Sequence, residues 1–271
     1  MSYEQFYNLR EQPFSNTPDP RFYFEMPQHA EAITRITYAI NTMKGLAVLV
    51  GDVGTGKTTL ARRLLEGLEE ERYEPALLVI IHSAITPEWF LRKIALQMGV
   101  SEPPEDKVGL VSQVYERLLE IHQSGKKAVV LIDEANMLQQ RAVLEELRGF
   151  LNLEVPGSKL ITFILFGLPE LETNLATDKA LAQRVALTCR LRSLTPETTV
   201  AYVRHRLKVA GSTGDLFGDA VLDLIHRASG GIPRLINTVC DNVLLEGFLQ
   251  HKPQVDLQLV KDVVRDLGLS E

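Results

Sequence analysis

Five short apolar runs alternate with longer amphipathic stretches along the chain as far as residue 191. The runs are LAVLV (46–50), ALLVIIH (76–82), AVVLI (128–132), LITFILF (160–166) and VALTCRL (185–191). The first four are almost continuously hydrophobic, as is typical of parallel strands that helices cover on both faces. The pattern therefore predicts a series of buried strands.

The stretches between these runs have the apolar spacing of helices. Their predicted bounds are 58–71, 86–98, 108–123, 141–153 and 169–183. Alternation of strands with helices is typical of doubly wound α/β folds. We therefore predict a parallel sheet sandwiched between helices.

The pattern changes after Leu194, where no further strand-like run occurs. Thr195 and Pro196 form a helix start, because a capping hydroxyl precedes a proline in the first turn. The sequence therefore predicts an α/β domain over residues 1–195 and an all-helical domain over residues 196–271. The predicted helices of the second domain are 196–210, 219–229, 233–249 and 256–267.

Composition narrows the classes of function. The net charge of −6 disfavours bulk attraction to nucleic acid or to an anionic membrane. Cys189 and Cys240 lack the spacing of a zinc site or a disulfide scaffold, which fits the reducing cytoplasm. The polar N-terminus is unlike a signal peptide, and every apolar run is too short to span a bilayer. We expect a cytoplasmic protein that reaches a membrane only through a partner.

The segment GDVGTGKTT carries the strongest chemical signal. It fits the pattern G-x-x-x-x-G-K-[ST] between a predicted strand and a predicted helix. Its glycines let backbone amides curl around phosphates, Lys57 reaches the β- and γ-phosphates, and Thr58 offers its hydroxyl to Mg²⁺. The predicted phosphate loop comprises Gly51, Asp52, Val53, Gly54, Thr55, Gly56, Lys57, Thr58 and Thr59.

A second signal is AVVLIDEA, in which an apolar strand ends in two acidic residues. Asp133 is predicted to hold the coordination shell of Mg²⁺, as the acidic residue of the second motif does in NTPases that contain a phosphate loop. Glu134 is then placed to polarise the attacking water. The alternative is a solvated acidic pair that caps a helix. The phosphate loop upstream favours the catalytic interpretation, because each motif supplies what the other lacks.

Arg234 is a cation in the first turn of a predicted helix, where the helix dipole favours an anion. Pro233 suits that first turn, so the helix start itself is well defined. A phosphate would draw a guanidinium there, because arginine matches phosphate oxygens. We predict that Arg234 contacts the phosphates of a nucleotide. The alternative is a surface arginine paired with Asp241 or a nearby glutamate.

Together these features resemble the AAA+ superfamily of P-loop NTPases, including a Gly-x-Pro-Arg motif within a helical lid. The resemblance is closer still to general-secretion ATPases of the ExeA/GspA type and extends over nearly all of this chain, which corresponds to their ATPase domain. Further segments that carry it are FYNLREQPFSNTPDPRFYF (6–24), IDEANML (132–138), FGLPEL (166–171), LAQRVALTCRLRSLTPE (181–197) and GGIPRLINTVCDNVLL (230–245).

The resemblance implies roles that the residue pattern alone does not. It implies that the ligand is ATP with Mg²⁺, that residues 196–271 form the lid, and that residues 1–45 line the adenine pocket. The alternative for the aromatic side chains of that segment is a place in the core. Arg184 looks like an arginine finger that reaches the γ-phosphate of a neighbouring subunit, whereas Arg234 acts within its own chain. The alternative for Arg184 is an ordinary surface arginine.

One position departs from the family. Its members usually read Gly-Gln-Pro-Glu-Leu after the fourth strand, and the glutamine senses phosphate. Here Leu168 follows Gly167, and a leucine cannot hydrogen-bond a water or a phosphate. We therefore expect the sensor to be missing or to come from another residue such as Thr162, and hydrolysis to be slow.

Three functions fit these features. The first is an ATPase whose nucleotide-dependent homo-oligomer assembles or positions a bacterial envelope machine, a secretion system or a pilus, at the inner membrane through a protein partner. The second is an ATP-dependent regulator of DNA transposition that binds DNA as an oligomer, which the net charge of −6 disfavours. The third is a slow nucleotide switch that recruits partners in its ATP state. The resemblance favours the first.

Overall fold

The structure, a computed structural model, describes residues 2–270 and divides into two compact units. One unit contains Pro27–Val53 and Lys57–Leu191. The other joins residues 2–26, the short stretch Gly54–Gly56 and residues 192–270.

A parallel sheet lies at the centre of the first unit. In chain order the strands are β1 (Leu46–Gly51), β2 (Tyr73–Val79), β3 (Lys127–Asp133), β4 (Glu154–Val155), β5 (Ser158–Lys159), β6 (Ile161–Gly167) and β7 (Val185–Leu191). β4 and β5 pair only with each other as an antiparallel hairpin. The other five form the sheet in the order β2-β3-β6-β1-β7, with every neighbouring pair parallel.

β2 ends earlier than the apolar run 76–82 predicts. It stops at Val79, which pairs with Asp133 at the end of β3. Glu134 then adopts a left-handed conformation with φ 54°, so the chain after β3 turns away from β2. Because β2 is an edge strand with β3 as its single neighbour, the chain beyond Ile80 has no strand to pair with.

The helices match the predicted alternation. In chain order they are α1 (Tyr3–Phe6), α2 (Pro27–Asn41), α3 (Lys57–Glu66), α4 (Pro87–Gln97), α5 (Lys107–Gln123), α6 (Arg141–Phe150), α7 (Glu170–Ala176), α8 (Lys179–Ala182), α9 (Pro196–Val209), α10 (Asp219–Ser229), α11 (Pro233–Leu249) and α12 (Leu257–Asp266). The predicted helix 169–183 is broken into α7 and α8. The carboxylate of Asp178 causes this break, since it caps α8 by accepting from the N–H groups of Ala180 and Leu181.

Alternate residues of the strands enter two different cores, which explains why the runs are continuously apolar. Val48 and Ile132 pack on the face that α4, α5 and α6 cover. Leu49 and Leu131 pack on the opposite face, against α2 and α3. The predicted parallel sheet between helical layers is therefore confirmed. No helix within residues 2–270 combines the length and apolar character needed to cross a membrane.

The N-terminal segment packs with the C-terminal helices, which differs from the predicted division into residues 1–195 and 196–271. Phe14 and Phe22 are buried in one core with residues of α9 to α12. The guanidinium of Arg206 on α9 donates to the backbone carbonyls of Pro13 and Ser15. The helical unit therefore includes residues 2–26 as well as Gly54–Gly56, and its C-terminal part begins at Arg192 rather than at residue 196.

Candidate nucleotide site

The carboxyl ends of β1, β6 and β3 lie side by side at one edge of the sheet. β6 is the strand between β1 and β3, and Val50 of β1 pairs with Gly167 of β6. The phosphate loop follows β1, and Asp133 is the last residue of β3. Because ligands of open α/β sheets bind outside the carboxyl ends of the strands, this edge is the candidate site.

The phosphate loop is bent by glycine and closed by its lysine. Gly54 and Gly56 have φ values of +81° and +100°, which favour glycine. Lys57 begins α3 and is 6% exposed, and its Nζ donates to the carbonyls of Gly51 at 2.8 Å and Asp52 at 2.9 Å. The remaining loop residues are placed as follows: Asp52 and Val53 are exposed, Thr55 is buried, and Thr58 and Thr59 are half-buried in the first turn of α3.

Asp133 and Glu134 differ in burial and in backbone conformation. Asp133 is 2% exposed, and its Oδ1 accepts from the N–H of Glu134 at 3.0 Å. Glu134 is half-buried, and its left-handed backbone costs on the order of 1–2 kcal/mol. The hydrogen bond from Glu134 to the preceding carboxylate helps to hold this turn. Asp133 is thus buried at the end of the strand, whereas Glu134 remains accessible to solvent.

The donor set fits a magnesium ion. No lysine, arginine or histidine within residues 2–270 forms an ion pair with Asp133, and a buried carboxylate without a counter-charge is costly. Mg²⁺ prefers oxygen ligands and usually binds through one or two carboxylates together with substrate phosphates. The described residues contain no cluster of three or more His, Cys, Asp or Glu side chains suited to a metal. A cation at this edge would therefore depend on Asp133, the Thr58 hydroxyl and the substrate.

Asn136 is a residue at this edge that the sequence analysis missed. It lies in the short 3-10 turn after Glu134 and is 6% exposed. Its Oδ1 accepts from the backbone N–H of Leu168 at 3.1 Å, and its backbone oxygen accepts from Nδ2 of Asn174 at 3.0 Å. A polar residue among the apolar neighbours of ANML was the available signal.

Thr162 is not at this edge, so the expectation that it supplies the missing sensor is wrong. It is fully buried near the start of β6, opposite Val129, and its hydroxyl contacts the sulfur of Met43 at 3.7 Å. Gly167 is the last residue of the strand, at the carboxyl end where the candidate site lies. At about 3.3 Å per residue, Thr162 lies roughly 16 Å from that end.

Arg184 lies directly before β7, an edge strand of the sheet. Its Nη1 donates to the carbonyl of Ala180, and its Nη2 donates to Oδ1 of Asn152, both at 2.9 Å. The side chain is half-buried. Arg184 therefore lies beside an edge strand, as expected. Its guanidinium is already hydrogen-bonded within its own unit, so a role at a neighbouring subunit stays a prediction.

Arg234 has a backbone contact with the phosphate loop and an unpaired side chain. It is the second residue of α11, and its N–H donates to the carbonyl of Gly54, in the same compact unit, at 3.3 Å. Its exposed guanidinium makes no ion pair or hydrogen bond with any residue of the described chain. Asp241, the alternative partner, accepts from the hydroxyl of Tyr3 at 2.7 Å instead.

The sequence is similar to known families and proteins. The profile of the AAA domain family matches residues 40–175. The general secretion pathway protein A of Aeromonas hydrophila is 38% identical over 252 residues, which cover 91% of this chain and 45% of that protein. The chain thus spans less than half the length of this curated relative.

Solved structures share the fold at low sequence identity. The ORC2 protein of Aeropyrum pernix superimposes with a TM-score of 0.71 at 16% identity, covering 96% of this chain and 72% of that chain. The RuvB branch migration motor of Thermotoga maritima gives a TM-score of 0.57 at 20% identity, covering 88% and 69%. Identities this low establish the fold and carry no information on ligands or partners.

Proposed function

Because the chain belongs to the AAA domain family, we propose that it binds and hydrolyses ATP with Mg²⁺ at the carboxyl edge of its sheet. One observation carries the proposal. The phosphate loop follows β1, the Asp133–Glu134 pair lies at the end of β3, and β1 and β3 flank the same strand, β6. The two motifs, which lie far apart in sequence, therefore belong to one site.

Each residue of the site has a role in this proposal. The loop amides and Lys57 bind the phosphates, and the ammonium exchanges the carbonyls of Gly51 and Asp52 for phosphate oxygens. Thr58 and Asp133 would hold Mg²⁺, which neutralises charge on the phosphates when bound. Glu134 retains access to solvent and polarises the attacking water.

The two arginines act on the same phosphate from different chains. Arg234 contributes in cis, which its unpaired guanidinium and its backbone contact with Gly54 support. Arg184 contributes in trans from a neighbouring subunit, which its place beside the edge strand β7 supports. To do so, it exchanges its hydrogen bond to Asn152 for the neighbour's phosphate. A complete site then requires a nucleotide-dependent homo-oligomer.

We assign the ATPase to the assembly or positioning of a bacterial envelope machine, a secretion system or a pilus. The similarity to general secretion pathway protein A supports this assignment. In this role the protein acts in the cytoplasm and reaches the inner membrane through a protein partner.

A slow nucleotide switch is the second candidate function. Leu168 supports it, because the position after β6 carries a side chain that has no hydrogen-bond donor. A regulator of DNA transposition is the weaker alternative, since the net charge of −6 opposes binding to a polyanion.

Substitution of Lys57 tests the proposal directly. Lys57→Ala should abolish binding of ATP and of ADP in a folded protein, and Arg62→Ala on the exposed side of the same helix should not. Calorimetric titration with Mg-ATP measures both. Tight binding by Lys57→Ala, or no binding and no phosphate release by the wild-type chain, would refute the nucleotide site.

A further inference from the structure

We infer that Asn136 is a catalytic residue of this site, whose side-chain amide donates a hydrogen bond to the terminal phosphate of bound ATP. This inference rests on the ATPase function proposed above. It assigns to Asn136, in the turn after β3, the hydrogen bond to phosphate that Leu168, after β6, cannot make.

The first argument is position. Leu168 directly follows Gly167, the last residue of β6, and its N–H is bound by Asn136 Oδ1. The Asn136 side chain therefore lies at the carboxyl end of β6. That end is flanked by β1, which leads into the phosphate loop, and by β3, which ends in Asp133. A phosphate held by Lys57 and by a metal on Asp133 must lie over this part of the edge.

The second argument is the orientation of the amide. The N–H of Leu168 can only donate, so the group of Asn136 that faces it must be the carbonyl Oδ1. Nδ2 is bonded to the same carbon and therefore points away from the Leu168 backbone. Its orientation is fixed by the hydrogen-bond pattern of the strand end.

The third argument is the unused donor. Nδ2 of Asn136 has no partner within residues 2–270, yet it is absent from the set of fully enclosed unpaired atoms. The small exposed part of this residue, 6%, therefore includes Nδ2. An amide donor in so narrow an opening is available to an acceptor that arrives from solvent, and a phosphate oxygen is a strong one.

The fourth argument is rigidity. Asn174 Nδ2 holds the backbone oxygen of Asn136 from α7. Gly167 leaves room for this arrangement, because a Cβ at Gly167 would lie 3.0 Å from the backbone nitrogen of Asn136 and 3.1 Å from its Oδ1. A donor that is fixed before the substrate binds stabilises developing charge without reorganisation.

Two substitutions of Asn136 test the inference. Asn136→Asp keeps an oxygen for the N–H of Leu168 but removes both donors, and Asn136→Ala removes the whole amide without adding charge. The decisive measurement is the affinity for the non-hydrolysable analogue AMP-PNP divided by the affinity for ADP, each with Mg²⁺. We expect this ratio to fall about tenfold or more in both variants, since one charge-assisted hydrogen bond contributes about 1.5–3 kcal/mol. Hydrolysis should fall about 10²-fold.

The matched control is Asn174→Ala. It removes a side chain that supports the Asn136 backbone but leaves the Asn136 amide in the chain, so it should lower the melting temperature without a comparable change in the affinity ratio. Agreement between the Asp and Ala variants excludes repulsion by a new carboxylate as the cause. If Asn136→Ala does not fold, the Asp variant carries the test, because it preserves the hydrogen bond from Leu168.

An unchanged ratio in the folded variants overturns the inference, whatever the rate of hydrolysis. A parallel loss of AMP-PNP and ADP binding also overturns it, because Asn136 would then only support the turn after β3. The wild-type chain separates this failure from that of the proposed function. If the wild-type chain binds neither nucleotide, the ATPase proposal fails. If it binds and hydrolyses ATP while the Asn136 variants give either of these results, only the role of Asn136 fails.

Discussion

The backbone N–H of Arg234 donates to the carbonyl oxygen of Gly54 at 3.3 Å, so the first turn of α11 contacts Gly54 within one compact unit. A Cβ on Gly54 would stand 2.7 Å from the Cβ of Arg234. This close approach explains the glycine at position 54, because a side chain there would collide with the start of the helix. The exposed guanidinium of Arg234 has no partner within residues 2–270, and its contact with a phosphate stays a prediction.

Gly54→Ala should weaken ATP binding about tenfold or more, because the new methyl group displaces either the loop or the start of α11. Gly125→Ala is the matched control. Gly125 also has a left-handed φ, +79°, but no atom lies within 4 Å of a Cβ at that position. Both variants should lose about 1–2 kcal/mol of stability from backbone strain. If titration shows the same nucleotide affinity for both, the contact is not important for binding.

Glu134→Gln should retain ATP but hydrolyse it about 10²–10⁴-fold more slowly, since the amide cannot act as a general base. Glu105→Gln, in an exposed loop, controls for the loss of one negative charge. Phosphate release and nucleotide retention on a filter measure the two properties separately. Wild-type turnover by Glu134→Gln would remove Glu134 from the mechanism.

Mixing experiments test the shared site. Lys57→Ala protein retains Arg184 and should rescue Arg184→Ala protein, which binds ATP but lacks the finger. It should not rescue Arg234→Ala to the same degree, because that defect lies in the ATP-bearing chain. Loss of an arginine finger can cost 10³–10⁵ in rate, so the effect should be plain. Wild-type turnover per subunit should also rise with concentration.

Asn152→Ala provides the control for Arg184. It removes one hydrogen bond that braces the guanidinium within its own chain and leaves the finger in place. Hydrolysis should therefore survive in Asn152→Ala and be lost in Arg184→Ala. Rates that do not change with dilution, together with no rescue of either arginine variant, would make Arg184 an ordinary bracing residue.

Arg206→Met should destabilise the helical unit by about 2–5 kcal/mol. Arg206 is 7% exposed, and its removal leaves the carbonyls of Pro13 and Ser15 without their donor in a buried place. Arg204→Met on the same helix is the control, since its ion pair with Asp219 is at the surface and contributes at most about 1 kcal/mol. Denaturant titration measures the unfolding free energy of both variants. An equal decrease in the two would show that the hydrogen bonds of Arg206 to Pro13 and Ser15 do not stabilise the unit.

His205 should make the protein less stable in mild acid. Burial lowers the pKa of His205, with Arg206 and Lys208 adding repulsion, and its Nε2 is enclosed without a hydrogen-bond partner. The unfolded state, with a pKa near 6.5, therefore takes up the proton more readily, and stability falls as the pH drops below about 6.5. The loss of unfolding free energy between pH 7.5 and 5.5 should be smaller in His205→Gln. An identical pH dependence in both proteins would exclude this role.

The sequence by itself indicated the five strands of the main sheet, most of the helices and the two candidate motifs of the nucleotide site. Apolar runs such as 128–132 report burial on both faces, and the spacing of Gly51, Gly56 and Lys57 specifies a phosphate loop, because both signals are local along the chain. The strand order that brings Asp133 to the same end of the sheet as this loop, with β6 between them, is not a local signal and came from the structure.

The tertiary structure decided which distant residues meet. Asn136 and Leu168 are 32 positions apart, and Arg206 and Pro13 are 193 apart, so no local pattern links either pair. The apolar side chain of Phe14 predicts burial but not which core receives it. Those choices depend on packing and hydrogen bonding between elements, which exist only once the chain has folded.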